Sequence, residues 1–156
     1  MAIRLANLEG RAQLVVGETL ADVERASGGK LPSDPMEVLR SWDRLRDLGA
    51  KLSAGDAPLD EARLGPPVPR PAKVFGVGLN YRAHAQEAGL QIPKSPLIFT
   101  KFPSCLVGPR ADVVLSSETV DYEAELVVVL GRGGRRIPEA RALDHVAGYT
   151  VGQDIS

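Results

Sequence analysis

Three carboxylates stand two residues apart at the head of an otherwise apolar segment, DYEAELVVVL, residues 121–130. Successive side chains of a β-strand point to opposite faces, so Asp121, Glu123 and Glu125 share one face. Two carboxylates at this spacing lie roughly 7 Å apart, and both can reach one hard divalent cation. Without a cation, they repel each other beside an apolar patch. Taken alone, however, the pattern favours a strand whose charged end is simply exposed to water.

A further carboxylate, Asp154, stands near the end of a second apolar segment, GYTVGQDIS. An aspartate in this position is commonly a turn former or a helix cap. If it joins Glu123 and Glu125, the three side chains form an oxygen-lined face with positions left for water and substrate. Such ligands favour Mg²⁺, Mn²⁺ or Ca²⁺ over Zn²⁺. The sequence has no cysteine or histidine pair with zinc spacing.

The segment GVGLNYRAHAQEAG, residues 76–89, carries a second set of reactive side chains. His84 and Glu87 are three residues apart, so they share one face of a short helical turn. There the carboxylate could orient the imidazole as a general base. A solvated turn with a local ion pair is the commoner explanation of this spacing. The glycines do not form a dinucleotide loop, because Tyr81 replaces the third glycine of that motif.

Lys101 ends the apolar segment PLIFTK, where its ammonium could meet an anionic substrate or extend into solvent. The basic glycine segment at residues 131–136 could cradle a phosphate, but a turn between two elements explains it equally well. His145 has no evident partner and is interpreted as structural. Cys105 has no activating neighbour in sequence and is not proposed as a nucleophile.

The elements that position these residues fall into two regions. In the first, residues 3–16 predict a hairpin, and a short helix capped by Thr19 is expected to end at Gly28. A longer helix is predicted from Asp34 to Leu52, with Asp34 as its cap. The proline-rich stretch GPPVPRP marks a boundary. We therefore predict an α+β class protein, with a small α+β region at residues 1–65 and a mainly β region at 66–156.

Within the second region, the sequence predicts strands at residues 73–78, 96–102, 111–116, 121–130 and 147–155. A helix is predicted from Pro138 to Gly148.

Composition excludes several classes of function. Nineteen basic residues against twenty acidic ones leave a net charge of −1, so a nucleic-acid partner is not expected. No segment approaches the roughly 20 apolar residues of a membrane span, so no membrane partner is expected. A single cysteine fits a reducing compartment. Charged residues run through the N-terminus, where a signal peptide requires an apolar core, so we expect a cytoplasmic location.

Four segments in combination resemble the fumarylacetoacetate hydrolase family. They are GVGLNYRAHAQEAG, the IFTK segment followed by GP, DYEAELVVVLG and GYTVGQDIS. Their order and spacing match the family over about residues 70–156. No one of them is specific alone, but together they are. The first 65 residues resemble the variable leading region of bacterial members, which is weaker evidence.

The resemblance implies a mostly β roll, usually in a homodimer. It implies Mg²⁺ or Mn²⁺, with Ca²⁺ as an alternative, bound by Glu123, Glu125 and Asp154. His84 and Glu87 correspond to a family dyad on a lid, where the histidine activates water or moves a proton. Lys101 corresponds to a lysine beside the metal that helps to hold negative charge. Asp121 is expected to be a neighbour of the ligands.

Family substrates are 2-oxo or β-diketo acids, whose adjacent carboxylate and keto oxygens chelate the metal. The resemblance therefore implies hydrolysis of a C–C bond in an acylpyruvate or fumarylacetoacetate type of acid, as in aromatic compound catabolism. Isomerisation, tautomerisation or decarboxylation of hydroxydienoate or oxaloacetate-like acids is the alternative. A fragment that needs a partner chain, or a carboxylate-rich binding module without catalysis, is also consistent with the residues.

Two departures from the family pattern qualify these expectations. Gln153 replaces the asparagine usual before the metal-binding aspartate, which is a mild change. The family's β domain also normally continues well beyond this aspartate, with further substrate-binding residues. The chain is therefore expected to be the N-terminal portion of a catalytic protein, truncated on the C-terminal side of the β roll.

Overall fold

The computed structural model describes residues 2–156. Short strands carry most of the regular structure. They are β1 (Arg4–Leu8), β2 (Arg11–Val16), β3 (Thr19–Asp22), β4 (Ala57–Pro58), β5 (Leu64–Gly65), β6 (Val74–Gly78), β7 (Leu97–Lys101), β8 (Ala124–Leu130) and β9 (Val146–Gln153). The α-helices are α1 (Val23–Ala26), α2 (Pro35–Val38), α3 (Trp42–Gly49) and α4 (Arg82–Glu87).

The first region is a five-stranded sheet in the order β4-β3-β2-β1-β5, with antiparallel pairing throughout. Its centre is the β1–β2 hairpin, which the sequence predicted. Glu9 and Gly10 form the turn, with φ of 51° and 86°. Positive φ at both central residues is the conformation that matches the right-handed twist of a two-residue hairpin. The Asn7 carboxamide accepts the Gly10 N–H at 2.9 Å, which holds the turn.

The core of this region lies between the sheet and the helices. Leu14 from β2 and Leu45 from α3 are almost fully buried, as are Val23 of α1 and Val38 of α2. Trp42 packs against the edge of this cluster. Burying such side chains contributes about 1.5–3 kcal/mol each, so the cluster is the main source of stability for residues 4–65.

The predicted helix cap at Thr19 is wrong. Thr19 begins strand β3, and its hydroxyl donates to the Val16 carbonyl at 2.7 Å. The helix begins three residues later, where Asp22 accepts the Arg25 N–H at 3.0 Å. Pairing of β3 with β2 therefore overrides the local capping preference, because a sheet edge satisfies more backbone groups than one side-chain cap.

The predicted long helix is interrupted. Asp34 is its cap as expected, accepting the Met36 N–H at 2.7 Å. The helix then tightens into a 3-10 turn at Leu39–Ser41. Ser41 leaves the helical region, with φ of −111° and ψ of 38°, and α3 restarts at Trp42.

The second region contains two separate antiparallel ribbons, β6–β7 and β8–β9. The predicted strand at residues 111–116 is wrong, because this segment is exposed and pairs with no strand in the described part of the chain. The predicted helix from Pro138 is a 3-10 helix, Glu139–His145, and does not reach Gly148. Val146 instead pairs with Leu130 across a bulge and begins β9.

The face of the β8–β9 ribbon that carries Leu126, Tyr149 and Val151 is apolar and exposed, with 60–80% of each of these residues accessible. The structure includes no element that covers this face within residues 2–156. No helix in the same range is long and apolar enough to span a bilayer.

Replacement of Asp22 with asparagine is expected to lower the free energy of unfolding by about 2 kcal/mol. Asp22 is 2% exposed, and its carboxylate accepts two hydrogen bonds from Arg11, at 2.8 and 3.1 Å. These bonds lower the pKa of Asp22 from 3.8 to about 2. Because the folded state holds the carboxylate ionised, this stabilisation is complete above about pH 4 and is lost as the pH falls toward 2.

Urea unfolding at pH 7 and at pH 3 measures this effect. The difference in free energy of unfolding between wild type and Asp22→Asn should be smaller at pH 3, because the ionised Asp22 carboxylate then contributes less to stability. Glu24→Gln is the matched control, because Glu24 also contacts Arg11 but is exposed, and its loss should cost under about 0.5 kcal/mol. Equal costs for the two variants would contradict the assignment.

Candidate active site

The β8–β9 ribbon places the predicted carboxylates on one face. Ala124 lies opposite Gln153, and the pairing continues past the strand ends. The Asp154 N–H donates to the Glu123 carbonyl at 2.8 Å, so these two residues are directly opposed across the ribbon. Opposed residues point to the same face, and Glu125 joins them by alternation. The backbone therefore carries the three carboxylates on one face of one ribbon.

Gly152 leaves space on this face. It lies directly opposite Glu125 and two residues from Asp154. A Cβ atom at Gly152 would come within 2.7 Å of the Val127 side chain. A side chain at position 152 would therefore clash with Val127, beside Glu125.

The opposed carboxylates require a positive partner, since like charges directly opposite in a ribbon are destabilising. In this structure the partner is Lys101, whose ammonium forms an ion pair with Asp154. Glu123 is stabilised separately, because the Ser156 hydroxyl donates to its carboxylate at 2.8 Å. The Asp121 carboxylate accepts the backbone N–H of Tyr122 at 2.7 Å, so it is turned toward its own backbone.

Lys101 reaches Asp154 from the other ribbon. It is the last residue of β7, and its ammonium lies 5.7 Å from the centre of the Phe99 ring on the same face. The ring in turn lies across Gly76 of β6, where a Cβ atom would come within 2.2–2.7 Å of it. Gly76 thus makes room for an aromatic side chain, which explains a glycine that is not part of a nucleotide loop.

The His84 and Glu87 side chains lie on the same helical turn, as predicted. α4 ends in a Schellman motif, in which the Leu90 N–H donates to the Ala85 carbonyl at 2.8 Å and Gly89 has φ of 65°. Ala85 is fully buried, whereas His84 and Glu87 are exposed. No hydrogen bond joins these two side chains in the described structure, so the helix presents both to solvent without pairing them.

Glu123, Glu125 and Asp154 supply a donor set whose chemistry fits a hard divalent cation, because all three are carboxylates on one face of the ribbon. The side chains are not drawn together: within residues 2–156, no three Asp, Glu, His or Cys side chains form a cluster able to hold a metal ion. Asp154 turns to Lys101 instead. The metal-ligand roles therefore stay predictions.

Sequence patterns missed three residues that shape this site. They are Ser156, Gly152 and Phe99. Each acts through a residue that is distant in the sequence, namely Glu123, Glu125 and Gly76 respectively, so its role depends on register. The only sequence signal for Gly152 is a glycine inside a strand pattern, which often marks a close approach of another group.

Comparison with known proteins places this site in context. The family model described as "Fumarylacetoacetate (FAA) hydrolase C-terminal" matches residues 73–156. The human protein named oxaloacetate tautomerase FAHD2A, mitochondrial, is 46% identical over 161 aligned positions, covering 94% of this chain and 51% of that protein.

Two solved structures are similar across nearly the whole chain. A Mycobacterium smegmatis protein provisionally named HpcE is 47% identical with a TM-score of 0.86, over 97% of this chain and 55% of its own. Maleylpyruvate hydrolase from Sphingobium sp. SYK-6, solved with manganese(II) and pyruvate, is 30% identical with a TM-score of 0.76. The match covers 97% of this chain and 58% of that protein. The chain thus spans about half the length of these relatives.

Proposed function

Because this chain belongs to the fumarylacetoacetate hydrolase family and has its fold, we propose that it carries the metal-binding face of an enzyme acting on a small 2-oxo acid. The observation that carries this proposal is the placement of Glu123 directly opposite Asp154, with Glu125 on the same face. Opposed carboxylates are destabilising alone but suit a divalent cation. A relative solved with manganese(II) supports a divalent cation, for which Mn²⁺ and Mg²⁺ are the proposed candidates.

The three carboxylates would hold the cation, and the other side chains would act on the substrate. A cation bound there would act as a Lewis acid toward the keto and carboxylate oxygens of a 2-oxo acid. Lys101 stands beside Asp154 and can balance the negative charge that develops on the substrate oxygen. His84 would move the proton or activate water, and Glu87 would orient its ring once α4 closes over the substrate.

The reaction is proposed to be one that passes through an enolate of the 2-oxo acid. Relatives with 46% identity are named oxaloacetate tautomerases, which favours tautomerisation. A relative with 30% identity is named a maleylpyruvate hydrolase, which supports hydrolysis of a C–C bond as the second candidate. Both need a base beside the substrate, and they differ in whether an activated water attacks a carbonyl. Decarboxylation of oxaloacetate-like acids stays a further alternative.

A homodimer and a cytoplasmic location also stay predictions. The human relative is named as mitochondrial, and that location is a statement about that protein. The only partner proposed from the site is a small 2-oxo acid.

One set of assays tests the proposed function. The protein, treated with a chelator and then resupplied with Mn²⁺ or Mg²⁺, is incubated with enol-oxaloacetate and, separately, with maleylpyruvate. We expect turnover that depends on the added metal, with ketonisation of oxaloacetate faster than hydrolysis. Metal-dependent hydrolysis without ketonisation would reverse the order of the two candidates. Absence of Mn²⁺ binding, measured by titration, would overturn the metal site itself.

A further inference from the structure

The ion pair between Lys101 and Asp154 joins two ribbons that share no backbone ladder. Lys101 belongs to β7, which pairs with β6, whereas Asp154 follows β9, which pairs with β8. The two ribbons are separate sheets. The contact therefore depends on the tertiary arrangement and links the lysine directly to a carboxylate assigned to the metal.

The surroundings of the Lys101–Asp154 ion pair stabilise it. The side chains of Lys101 and Asp154 are 32% and 23% exposed, so both are partly withdrawn from water. The Phe99 ring lies beside the ammonium, and Gly76 leaves room for that ring over β6. An ammonium over an aromatic face is stabilised further, and the ring restricts where the lysine can point.

We propose that Lys101 is an internal counterion of Asp154 that competes with the metal ion for this carboxylate and must leave it when the ion binds. This inference rests on the proposed metal site. Both opposed carboxylates have a partner in the structure, which a cation must displace or share. Asp154 already has a positive partner, and Glu123 has a hydrogen bond from Ser156.

The exchange has two consequences. Breaking the ion pair opposes metal binding, so Lys101 lowers the affinity of the site for the cation. It also frees the ammonium beside the site, where the next available anion is the substrate carboxylate or the oxygen that gains charge. Metal binding would thereby prepare Lys101 for its role toward the substrate, and would change the side-chain link between the two ribbons.

Titration with Mn²⁺, followed by the electron paramagnetic resonance signal of the free ion, tests this inference. Lys101→Met removes the competing charge with little change in length. We expect it to bind Mn²⁺ roughly three- to tenfold more tightly than wild type. In the absence of metal it should melt at a lower temperature, because the opposed carboxylates lose their counterion, and saturating Mn²⁺ should raise its melting temperature more than that of wild type.

Three further variants separate failure of this inference from failure of the metal site. They are Lys101→Arg, Lys73→Met and Asp154→Asn. Lys101→Arg retains the charge and should bind Mn²⁺ within about twofold of wild type. Lys73→Met removes a lysine just before β6, outside the site, and should leave affinity unchanged. If wild type binds Mn²⁺ and Asp154→Asn does not, but Lys101→Met shows unchanged or weaker affinity, the inference is wrong and the metal site stands. If wild type does not bind Mn²⁺, both are wrong.

Discussion

Glu123→Gln is expected to lower metal-dependent turnover by at least about 100-fold and to weaken Mn²⁺ binding by a similar factor. The substitution keeps the size and hydrogen-bonding oxygen of the side chain but removes its charge. Glu123 lies opposite Asp154 in the β8–β9 ribbon, so one hard ligand of the proposed site becomes a weak one. Glu125→Gln should behave alike, because Glu125 lies two residues along the same face.

The measurement pairs a Mn²⁺ titration with steady-state turnover of enol-oxaloacetate at saturating metal. Glu118→Gln is the matched control, since it makes the same chemical change at an exposed position in the turn that precedes this segment. It should retain turnover within about twofold of wild type. Without metal, Glu123→Gln should unfold at a slightly higher temperature than wild type, because it removes one of two opposed charges. Full activity in Glu123→Gln would remove the basis of the metal assignment.

The second large effect is expected at His84. His84→Ala should reduce turnover by roughly 100- to 10,000-fold, the range typical of a lost general base, with Mn²⁺ affinity unchanged. The side chain is exposed on α4 and has no hydrogen-bond partner on Glu87 in this structure. Its removal should therefore cost little stability. A loss of turnover with intact folding and intact metal binding is the signature of a catalytic role.

The chain offers a close control, because it has only one other histidine. His145 contacts the Arg132 carbonyl at 3.1 Å through Nδ1, at the far end of the β8–β9 ribbon. His145→Ala should keep turnover within about threefold of wild type. The turnover of Glu87→Gln should lie between those of His84→Ala and His145→Ala, because the role proposed for Glu87 is to orient the imidazole. If His84→Ala retained full turnover, the catalytic role of His84 would be wrong, whereas a wild type that binds Mn²⁺ but shows no turnover would be a carboxylate-rich binding module.

These predictions share a geometric origin. The ribbon sets the spacing of Glu123, Glu125 and Asp154 through its backbone ladder, which a side-chain substitution does not alter. Lys101 and His84 come from elements outside that ribbon. Charge changes on the ribbon should therefore alter metal affinity, whereas removal of His84 should alter turnover alone. Measuring both quantities for each variant separates the two kinds of role.

The sequence alone determined which residues could act together. An E-x-E pattern in an apolar strand places Glu123 and Glu125 on one face, because the side-chain period of a strand is two. The same local reasoning gave the β1–β2 hairpin, the cap at Asp34 and the helical turn that carries His84. Four short segments in order identified the family, which the comparisons confirm.

Local patterns failed where a distant partner decided the conformation. Thr19 has the chemistry of a helix cap, but its backbone pairs with β2. Its hydroxyl donates to the Val16 carbonyl and accepts the Gly55 N–H. Residues 111–116 have the composition of a strand but meet no partner in the described chain, and an unpaired strand has no ladder to hold it. The 3-10 helix after Pro138 ends early because Val146 is drawn into the pairing of β9 with β8.

Only the tertiary structure decided how the site residues meet. Which residue lies opposite Glu123 depends on register, and a shift of one residue in β9 would turn Asp154 to the other face. The contact of Lys101 with Asp154 depends on how two separate ribbons approach each other. Sequence fixes side-chain chemistry and strand period, because both are local. The register of the strands and the approach of the two ribbons are set by long-range pairing and packing, whose energies depend on the whole fold.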